Sequence, residues 1–250
     1  MKIFGRQVPV LFSLLIWLVI WEIIGRSNVI FIFPPFSKVL RATVDIVRVS
    51  TFFDDVMLSL RSFASGVGLS LVVGIPLGFM MGRSQKIDDM LGMWVNIFIS
   101  APITAIVPII MVVFGIGPKT ITVTVFLFSI WPVILDTRAG VKHISYSLIE
   151  MARVFGASRF DIYRKVLLWA ALPEILAGLR LAIIRGVRGM IVGQLLLSIM
   201  GFGKLFLTYS EYFLMDRFFA LLIFILAFAW GLSSVVGYFE RRVEKFAKGR

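Results

Sequence analysis

Side chains that could support acid–base or metal chemistry are few in this sequence of 250 residues. The carboxylates of Glu22, Asp136, Glu150 and Asp161 are widely spaced, and they form no pair of the kind that general acid–base catalysis needs. His143 is the single histidine and the sequence has no cysteine, which excludes thiol catalysis, disulfides and a histidine metal cluster. We therefore expect neither an enzyme nor a metal site, and no cofactor bound to this chain.

Polar side chains within apolar segments could instead line a route for a solute. Arg185 and Arg188 lie in an apolar segment at about 177–199, where an unpaired guanidinium costs roughly 3 kcal/mol or more. Positive charge there suits an anion such as a sulfonate or an oxyanion; the alternative is that these arginines pair with carbonyls or a carboxylate and stabilise the fold. The candidate pathway residues are Asn96, Ser100 and Thr104, at four-residue spacing and equally suited to core packing, and Arg185, Arg188 and Gln194.

Residues 144–173 form the one long stretch that is too polar to cross a bilayer, and they separate two apolar segments. Ser147 and Glu150 have the spacing of a capping box, which predicts a helix over 148–155. Gly156 can take the left-handed backbone conformation that ends such a helix. This half of the stretch is therefore predicted to be a short helix followed by a sharp turn.

Ser158 and Asp161 repeat the capping spacing, so a second helix is predicted over 159–169, and Pro173 suits the first turn of the helix that follows. The result is a helix–glycine–helix elbow, which fits either a connector on the membrane surface or a docking element for a soluble partner. Its predicted apolar face comprises Ile149, Ala152, Phe155, Phe160 and Tyr163, and its basic rim Arg153, Arg159, Arg164 and Lys165.

The elbow resembles the cytoplasmic loop shared by permease subunits of binding-protein-dependent ABC importers, in particular their nitrate/sulfonate/taurine-like group. In that family the loop forms a coupling helix that sits in a cleft of the ATPase subunit. The resemblance covers about residues 37–240, and the elbow pattern that carries it ends at Leu172-Pro173. The ATPase-coupling residues that it implies are Glu150, Ala152, Arg153, Gly156, Ala157 and Ser158. In these roles Glu150 caps and orients the docking helix, Gly156 sets the bend, and the two alanines allow close approach.

The resemblance also implies what surrounds the chain. A second copy of the permease, in a homodimer, completes the pathway; two ABC ATPase subunits bind ATP and Mg; and an extracytoplasmic solute-binding protein delivers the solute. Transport then proceeds by alternating access driven by ATP hydrolysis on the partner, since this chain lacks a Walker motif. The alternatives are a secondary transporter, which needs internal repeats, and uptake of a non-anionic small organic solute such as a vitamin precursor.

The composition is that of a polytopic helical membrane protein, with 59% apolar residues, 16% charged residues and a mean hydropathy of +0.97. Soluble domains have about 25% charged residues. We expect one all-α transmembrane domain over 1–250, with about six transmembrane helices and the cytoplasmic coupling elbow. The predicted spans are 8–24, 56–82, 90–114, 120–137, 177–199 and 218–239. The first is predicted to be a retained anchor rather than a cleaved signal peptide, with Glu22 as a solvated carboxylate at its end.

Small residues and prolines predict how two of these spans pack. The second span carries a small residue at every fourth position, which predicts close contact with another helix, and Pro76 should kink it. Pro102 and Pro108 should break the third span. An amphipathic external helix capped by Ser37 is predicted over 37–49. The small-residue ridge comprises Ser62, Gly66, Ser70, Gly74, Gly78 and Gly82.

Charge asymmetry predicts the orientation in the membrane. If the N-terminus is cytoplasmic, fifteen lysines and arginines lie on the inner side and seven on the outer side, while four lie within spans. The positive-inside rule then places both termini and the elbow in the cytosol. The family resemblance implies that the membrane is a bacterial inner membrane. The formal charge of +12 is explained by anionic lipid, and we expect no binding to nucleic acid.

Overall fold

The computed structural model describes residues 2–3, 6–7, 10–27, 29 and 32–248. This part of the chain is helical except for a two-stranded antiparallel hairpin of β1 (Lys2–Ile3) and β2 (Arg6–Gln7), which the sequence did not predict. The helices are α1 (Val10–Arg26), α2 (Phe36–Val47), α3 (Ser50–Arg83), α4 (Gln85–Ser100), α5 (Val107–Phe114), α6 (Pro118–Lys142), α7 (Tyr146–Val154), α8 (Arg159–Asp161), α9 (Leu168–Ala170), α10 (Leu172–Leu197), α11 (Gly201–Glu211) and α12 (Met215–Lys248).

Three helices, α3, α6 and α12, are long and apolar enough to cross a membrane. Two further pairs qualify if each is one bent span: Gln85–Ser100 with Ile103–Phe114, bent by 89°, and Arg159–Ala170 with Leu172–Leu197, bent by 61°. Length and composition therefore allow three to five spans in the described chain. The first predicted span, 8–24, corresponds to α1, whose 17 residues make it a short span for a hydrocarbon core of about 30 Å.

The third predicted span is not a straight helix. α4 ends at Ser100, a 3₁₀ turn covers Ile103–Ile106, and α5 follows. Pro102 lies at the break, whereas Pro108 sits in the first turn of α5, where a missing amide costs nothing. The prediction that Pro108 breaks the span was therefore wrong. Because the chain turns after Ser100, the predicted single stripe of Asn96, Ser100 and Thr104 does not lie on one helical face.

The small-residue ridge packs against α6, as the sequence predicts. A Cβ added to Gly78 would lie 2.6 Å from the Thr137 Cβ, and one added to Gly82 would lie 2.6 Å from the Val141 Cβ. A side chain at either position would overlap α6. The two helices can therefore approach this closely only because these residues are glycine. α3 is one helix from Ser50 to Arg83 and continues through Pro76.

α6 is the central helix of the bundle, because it packs against both α3 and α10. Its buried residues include apolar side chains and several small polar ones, among them Thr120, Thr124 and Ser129. The Thr124 hydroxyl donates to the Thr120 carbonyl at 2.8 Å, and the Ser129 hydroxyl donates to the Ala182 carbonyl of α10 at 3.0 Å. These bonds satisfy polar groups that would otherwise be costly inside an apolar bundle.

The amphipathic helix at 37–49 is present as α2, but Ser37 does not cap it. α2 begins at Phe36, and the backbone amide and hydroxyl of Ser37 donate to the Glu22 carboxylate at 2.9 and 2.8 Å. Glu22 therefore joins the end of α1 to the start of α2, which corrects its interpretation as a solvated carboxylate. α2 buries Val39 and Ile46 in contact with α12.

The last helix is longer than predicted. α12 runs from Met215 to Lys248, so Arg241, Arg242, Lys245 and Lys248 belong to the helix. The segment before it contains α11, a helix of eleven residues that lies between the predicted fifth and sixth spans.

Candidate functional site

The predicted capping box at the start of the elbow does not form. α7 begins at Tyr146 with Ser145 as its N-cap, and the Ser147 hydroxyl donates to the Ser145 hydroxyl at 3.2 Å. Ser147 is already inside the first turn, so Glu150 lies beyond the amides that a capping carboxylate would reach. Glu150 is exposed and does not have the capping role that the family resemblance implied.

The end of α7 has the hydrogen bonds of a Schellman motif. Gly156 has a φ of +77°, and its amide donates to the Arg153 carbonyl at 2.9 Å. The Ala157 amide donates to the Ala152 carbonyl at 3.0 Å. These two bonds satisfy carbonyls that the helix leaves free, and only glycine takes this backbone conformation without strain. The predicted bend at Gly156 is therefore present.

The second half of the elbow begins with the cap that the sequence predicts. The Ser158 hydroxyl accepts a hydrogen bond from the Asp161 amide at 3.1 Å and donates to the Asp161 carboxylate. The Lys165 ammonium lies 2.7 Å from the same carboxylate. The hydrogen bond from Lys165, followed by that from Ser158, lowers the pKa of Asp161 to about 2. The Asp161 carboxylate beside the cap therefore stays ionised at neutral pH. A π-helical turn over Ile162–Leu167 then leads into α9.

The elbow has two apolar faces, where the sequence predicted one. Its inner face buries Ile149, Ile162 and Leu167, and Ala152 and Ala157 pack against them. The two alanines therefore contact the elbow's own core, which corrects their implied role in close approach to a partner. Phe155 is the C-cap of α7 and lies six residues after Ile149, about 240° around the helix at 3.6 residues per turn, so the two do not share a face.

The outer face is the part of the elbow that no other described residue covers. Val154 is 86% exposed, Phe155 83% and Phe160 70%. We refer to these three residues as the elbow tip. Arg153 and Arg159 beside the elbow tip are also exposed. A contiguous apolar patch with a polar rim is typical of a protein interaction site.

An ion-pair cluster that the sequence did not predict holds the base of the elbow. Asp88 of α4 is 3% exposed and lies 2.5 Å from the Arg138 guanidinium and 2.5 Å from the Lys142 ammonium. Both cations belong to the last turns of α6, immediately before the elbow. In the sequence Asp88 is one of several charges in a short turn, and no spacing distinguishes it from Asp89.

The structure does not bring the six candidate pathway residues together on one surface. Asn96, Ser100, Thr104 and Arg188 are exposed and Arg185 is half-buried. Within the described chain neither arginine forms an ion pair with a carboxylate. The alternative that these arginines pair with carbonyls or a carboxylate stays a prediction.

Gln194 lies inside the chain, at 0% exposure. Its amide nitrogen donates to the Ser59 hydroxyl at 2.8 Å, and its amide oxygen accepts from the Phe202 backbone at 3.0 Å. Asp55 completes this network by accepting a bond from the Gly201 amide at 3.1 Å. The network ties α3 and α10 to the start of α11, so Gln194 lines no surface of the single chain. No local pattern in the sequence indicates this network, because its members lie on three separate elements.

The described residues contain no group of three His, Cys, Asp or Glu side chains that could hold a metal ion. His143, for which the sequence suggested no role, is exposed beyond the end of α6. The carboxylates of Asp88, Asp161 and Glu240 lie on separate elements, each paired with a cation.

Known permease proteins match this chain, one of them over nearly its whole length. The Escherichia coli taurine transport system permease protein TauC is 27% identical over 247 residues, covering 96% of this chain and 90% of TauC. The Bacillus subtilis glycine betaine/carnitine/choline transport system permease protein OpuCD is 33% identical over 119 residues, covering 48% of this chain. The chain spans about half the length of OpuCD, since the match covers 52% of that protein.

A solved structure shares the fold. An inward-facing form of the MetNI methionine ABC transporter superposes with a TM-score of 0.68 and 21% identity, over 77% of this chain and 95% of the matched chain. Residues 74–245 match the model of a family described as the inner membrane component of binding-protein-dependent transport systems. That segment includes the elbow, α6 and α10, and it exceeds half of the chain. The protein therefore belongs to the family of binding-protein-dependent transport system inner membrane components.

Proposed function

We propose that this chain is the membrane-spanning permease subunit of an ATP-driven solute importer, and that the elbow couples it to a separate ATPase. The observation that carries the proposal is the elbow tip: Val154 and Phe155 are more than four-fifths exposed on a turn with fixed backbone geometry. Burying one such side chain in a partner's cleft is worth about 1.5–3 kcal/mol. The membrane subunit itself is not an enzyme; ATP and Mg bind to the partner.

The elbow is built to transmit displacement as well as to bind. Its inner face rests on a core of Ile149, Ile162 and Leu167 with Phe79 of α3 and Ile144 after α6. Movement of the elbow tip therefore reaches α3, α6 and α10 without a flexible linker. Closure of an ATPase dimer beneath two such elbows would rotate the helix bundles as rigid bodies, which is the motion that alternating access needs.

The solute is proposed to be a small anion of the sulfonate or oxyanion class. Arg185 and Arg188 lie near the middle of α10, about 20–24 Å along the helix axis from Leu172 at 1.5 Å per residue. Neither has a carboxylate partner within the described chain. A guanidinium at that depth is stabilised by an anion or by water in a pathway. The similarity to TauC over 96% of the chain is in keeping with a sulfonate.

The full importer is proposed to contain two copies of this chain, two ABC ATPase subunits and an external solute-binding protein. Both termini and the elbow face the cytosol in this arrangement, in keeping with the charge asymmetry between the loops. The exposed residues Asn96, Ser100 and Thr104 are assigned to the surface shared by the two copies. The pathway would then form only in the homodimer.

Replacing one residue of the elbow tip tests the coupling proposal. We expect Phe155→Ala to weaken binding of the ATPase at least about tenfold, since truncating a well-buried aromatic anchor costs about 2 kcal/mol or more. Pull-down of the ATPase by the purified permease, and stimulated ATP hydrolysis in proteoliposomes, measure this effect. Phe155 is exposed in the isolated chain, so its loss should not affect folding or insertion.

Tyr212→Ala provides the matched control, since Tyr212 is an aromatic residue 72% exposed at the end of α11, away from the elbow. Its replacement should leave ATPase binding unchanged. Full ATPase binding and full stimulation in the Phe155 variant would refute the coupling role. Labelling of Ser158 from outside sealed cells would refute the orientation.

A further inference from the structure

A cleft of about 430 Å³ lies at the base of the elbow, between the ends of α3 and α6 and the first turn of α7. We call it the inner cleft. Its polar lining consists of Arg83, Gln85, Lys142 and Tyr146, and its apolar side includes Ile149 and Leu167. No carboxylate is among the residues that line it. The volume is within the range of about 300–1,000 Å³ that is usual for small-ligand sites.

The lining is positively charged. Arg83, the last residue of α3, is exposed and forms no ion pair within the described chain. Lys142 shares the single carboxylate of Asp88 with Arg138, so two cations face one anion and a net positive charge remains. Two cations and no carboxylate on the wall favour an anion in the inner cleft.

The position of the inner cleft indicates which anion it meets. Arg83 and Lys142 are the terminal residues of two helices that are candidate spans, so the cleft lies where the apolar core of the bilayer gives way to headgroups. The apolar side chains of Ile149 and Leu167 suit a ligand whose phosphate is attached to an apolar body. α7 also begins there without a side-chain cap, so its first amides add to the positive potential.

We propose that the inner cleft is a binding site for a phosphate group, carried by the headgroup of an anionic phospholipid. Arg83 and Lys142 bind the phosphate oxygens, and Tyr146 donates a further hydrogen bond. A lipid held there contacts the root of the elbow, so the lipid composition of the inner leaflet tunes the position from which the elbow moves. The leaflet assignment rests on the proposed orientation, whereas binding to the isolated chain does not.

Retention of lipid by the purified chain tests this site without any ATPase. Native mass spectrometry in detergent compares phosphatidylglycerol with phosphatidylcholine for the wild-type chain, Arg83→Gln, Arg83→Lys and Lys86→Gln. Lys86 is the matched control, because it is an exposed cation three residues from Arg83 that does not line the inner cleft. We expect Arg83→Gln to lower retention of phosphatidylglycerol about fivefold, the factor that one cation contributes beside anionic headgroups. Arg83→Lys should retain it and Lys86→Gln should have no effect.

A competition arm distinguishes the two sources of phosphate. Excess inorganic phosphate leaves the retained phosphatidylglycerol in place if the ligand is the lipid, and it displaces that lipid if the cleft serves a soluble phosphate. Equal retention of the two lipids, or an equal loss in the Lys86 and Arg83 variants, would overturn the site. The ATPase pull-down is a separate measurement, so failure of the coupling proposal is distinguishable from failure of this one.

Discussion

The glycine ridge of α3 leads to a quantitative prediction for Gly78. A Cβ at this position would lie 2.6 Å from the Thr137 Cβ and 2.7 Å from the Ile134 carbonyl oxygen, whereas carbon atoms rest at about 3.5–4.0 Å. Gly78→Ala therefore forces α3 and α6 apart by about 1 Å. Overpacking of this kind costs about 1–3 kcal/mol, and the higher helix propensity of alanine offsets up to about 1 kcal/mol of it. We expect a net loss of up to about 2 kcal/mol.

Gly68→Ala is the matched control on the same helix. A Cβ there meets nothing within 4 Å, so only the helix propensity changes and stability should stay constant or rise. Thermal unfolding of the two variants in one detergent measures the difference. At about 2–4 °C per kcal/mol, the Gly78 variant should melt several degrees below the Gly68 variant. Equal melting temperatures would refute the argument that the ridge sets the separation of α3 and α6.

Three further predictions concern the Asp88 ion-pair cluster, the Gln194 hydrogen-bond network and the turn at Gly156. Asp88→Asn leaves two cations unpaired and should cost about 2–4 kcal/mol, seen as a lower melting temperature than that of the exposed-site variant Asp89→Asn. Gln194→Leu removes the buried partner of the Phe202 amide, so it should cost about 1–3 kcal/mol and speed hydrogen exchange in α11; unchanged exchange would contradict the network. Gly156→Pro cannot adopt positive φ, and it should abolish transport-coupled ATP hydrolysis while membrane insertion measured by fractionation is intact; full coupling would exclude the bend as a requirement.

Features that depend on neighbouring residues were predictable from the sequence. The left-handed Gly156 and the Ser158 cap each involve residues within a few positions of one another, so their spacing is visible in a single segment. The ridge of α3 was visible because helical periodicity repeats every four residues along one face. These local rules also predicted an all-helical membrane protein and the position of the elbow.

Features that depend on distant contacts were not predictable. Asp88 meets Arg138 across 50 positions, and Gln194 meets Ser59 across 135, and no local pattern encodes either pair. The capping box failed for a different reason: Ser145 and Ser147 are both able to end the loop, and the sequence alone does not show where the first turn of α7 begins. Gln194 was assigned to a pathway because a polar residue in an apolar helix suits a solute route as well as a buried network.

The single residue between α3 and α4 has a consequence for how the protein can move. Ser84 alone separates Arg83 from Gln85, and Asp88, one turn later, is fixed to the end of α6. α3, α4 and α6 are thus joined at one point beside the elbow. The connection is too short for any of the three helices to shift alone. Displacement of the elbow by the ATPase would therefore move the bent α4–α5 segment together with α3 and α6. The pathway should then open and close in one concerted step, without a partly moved intermediate.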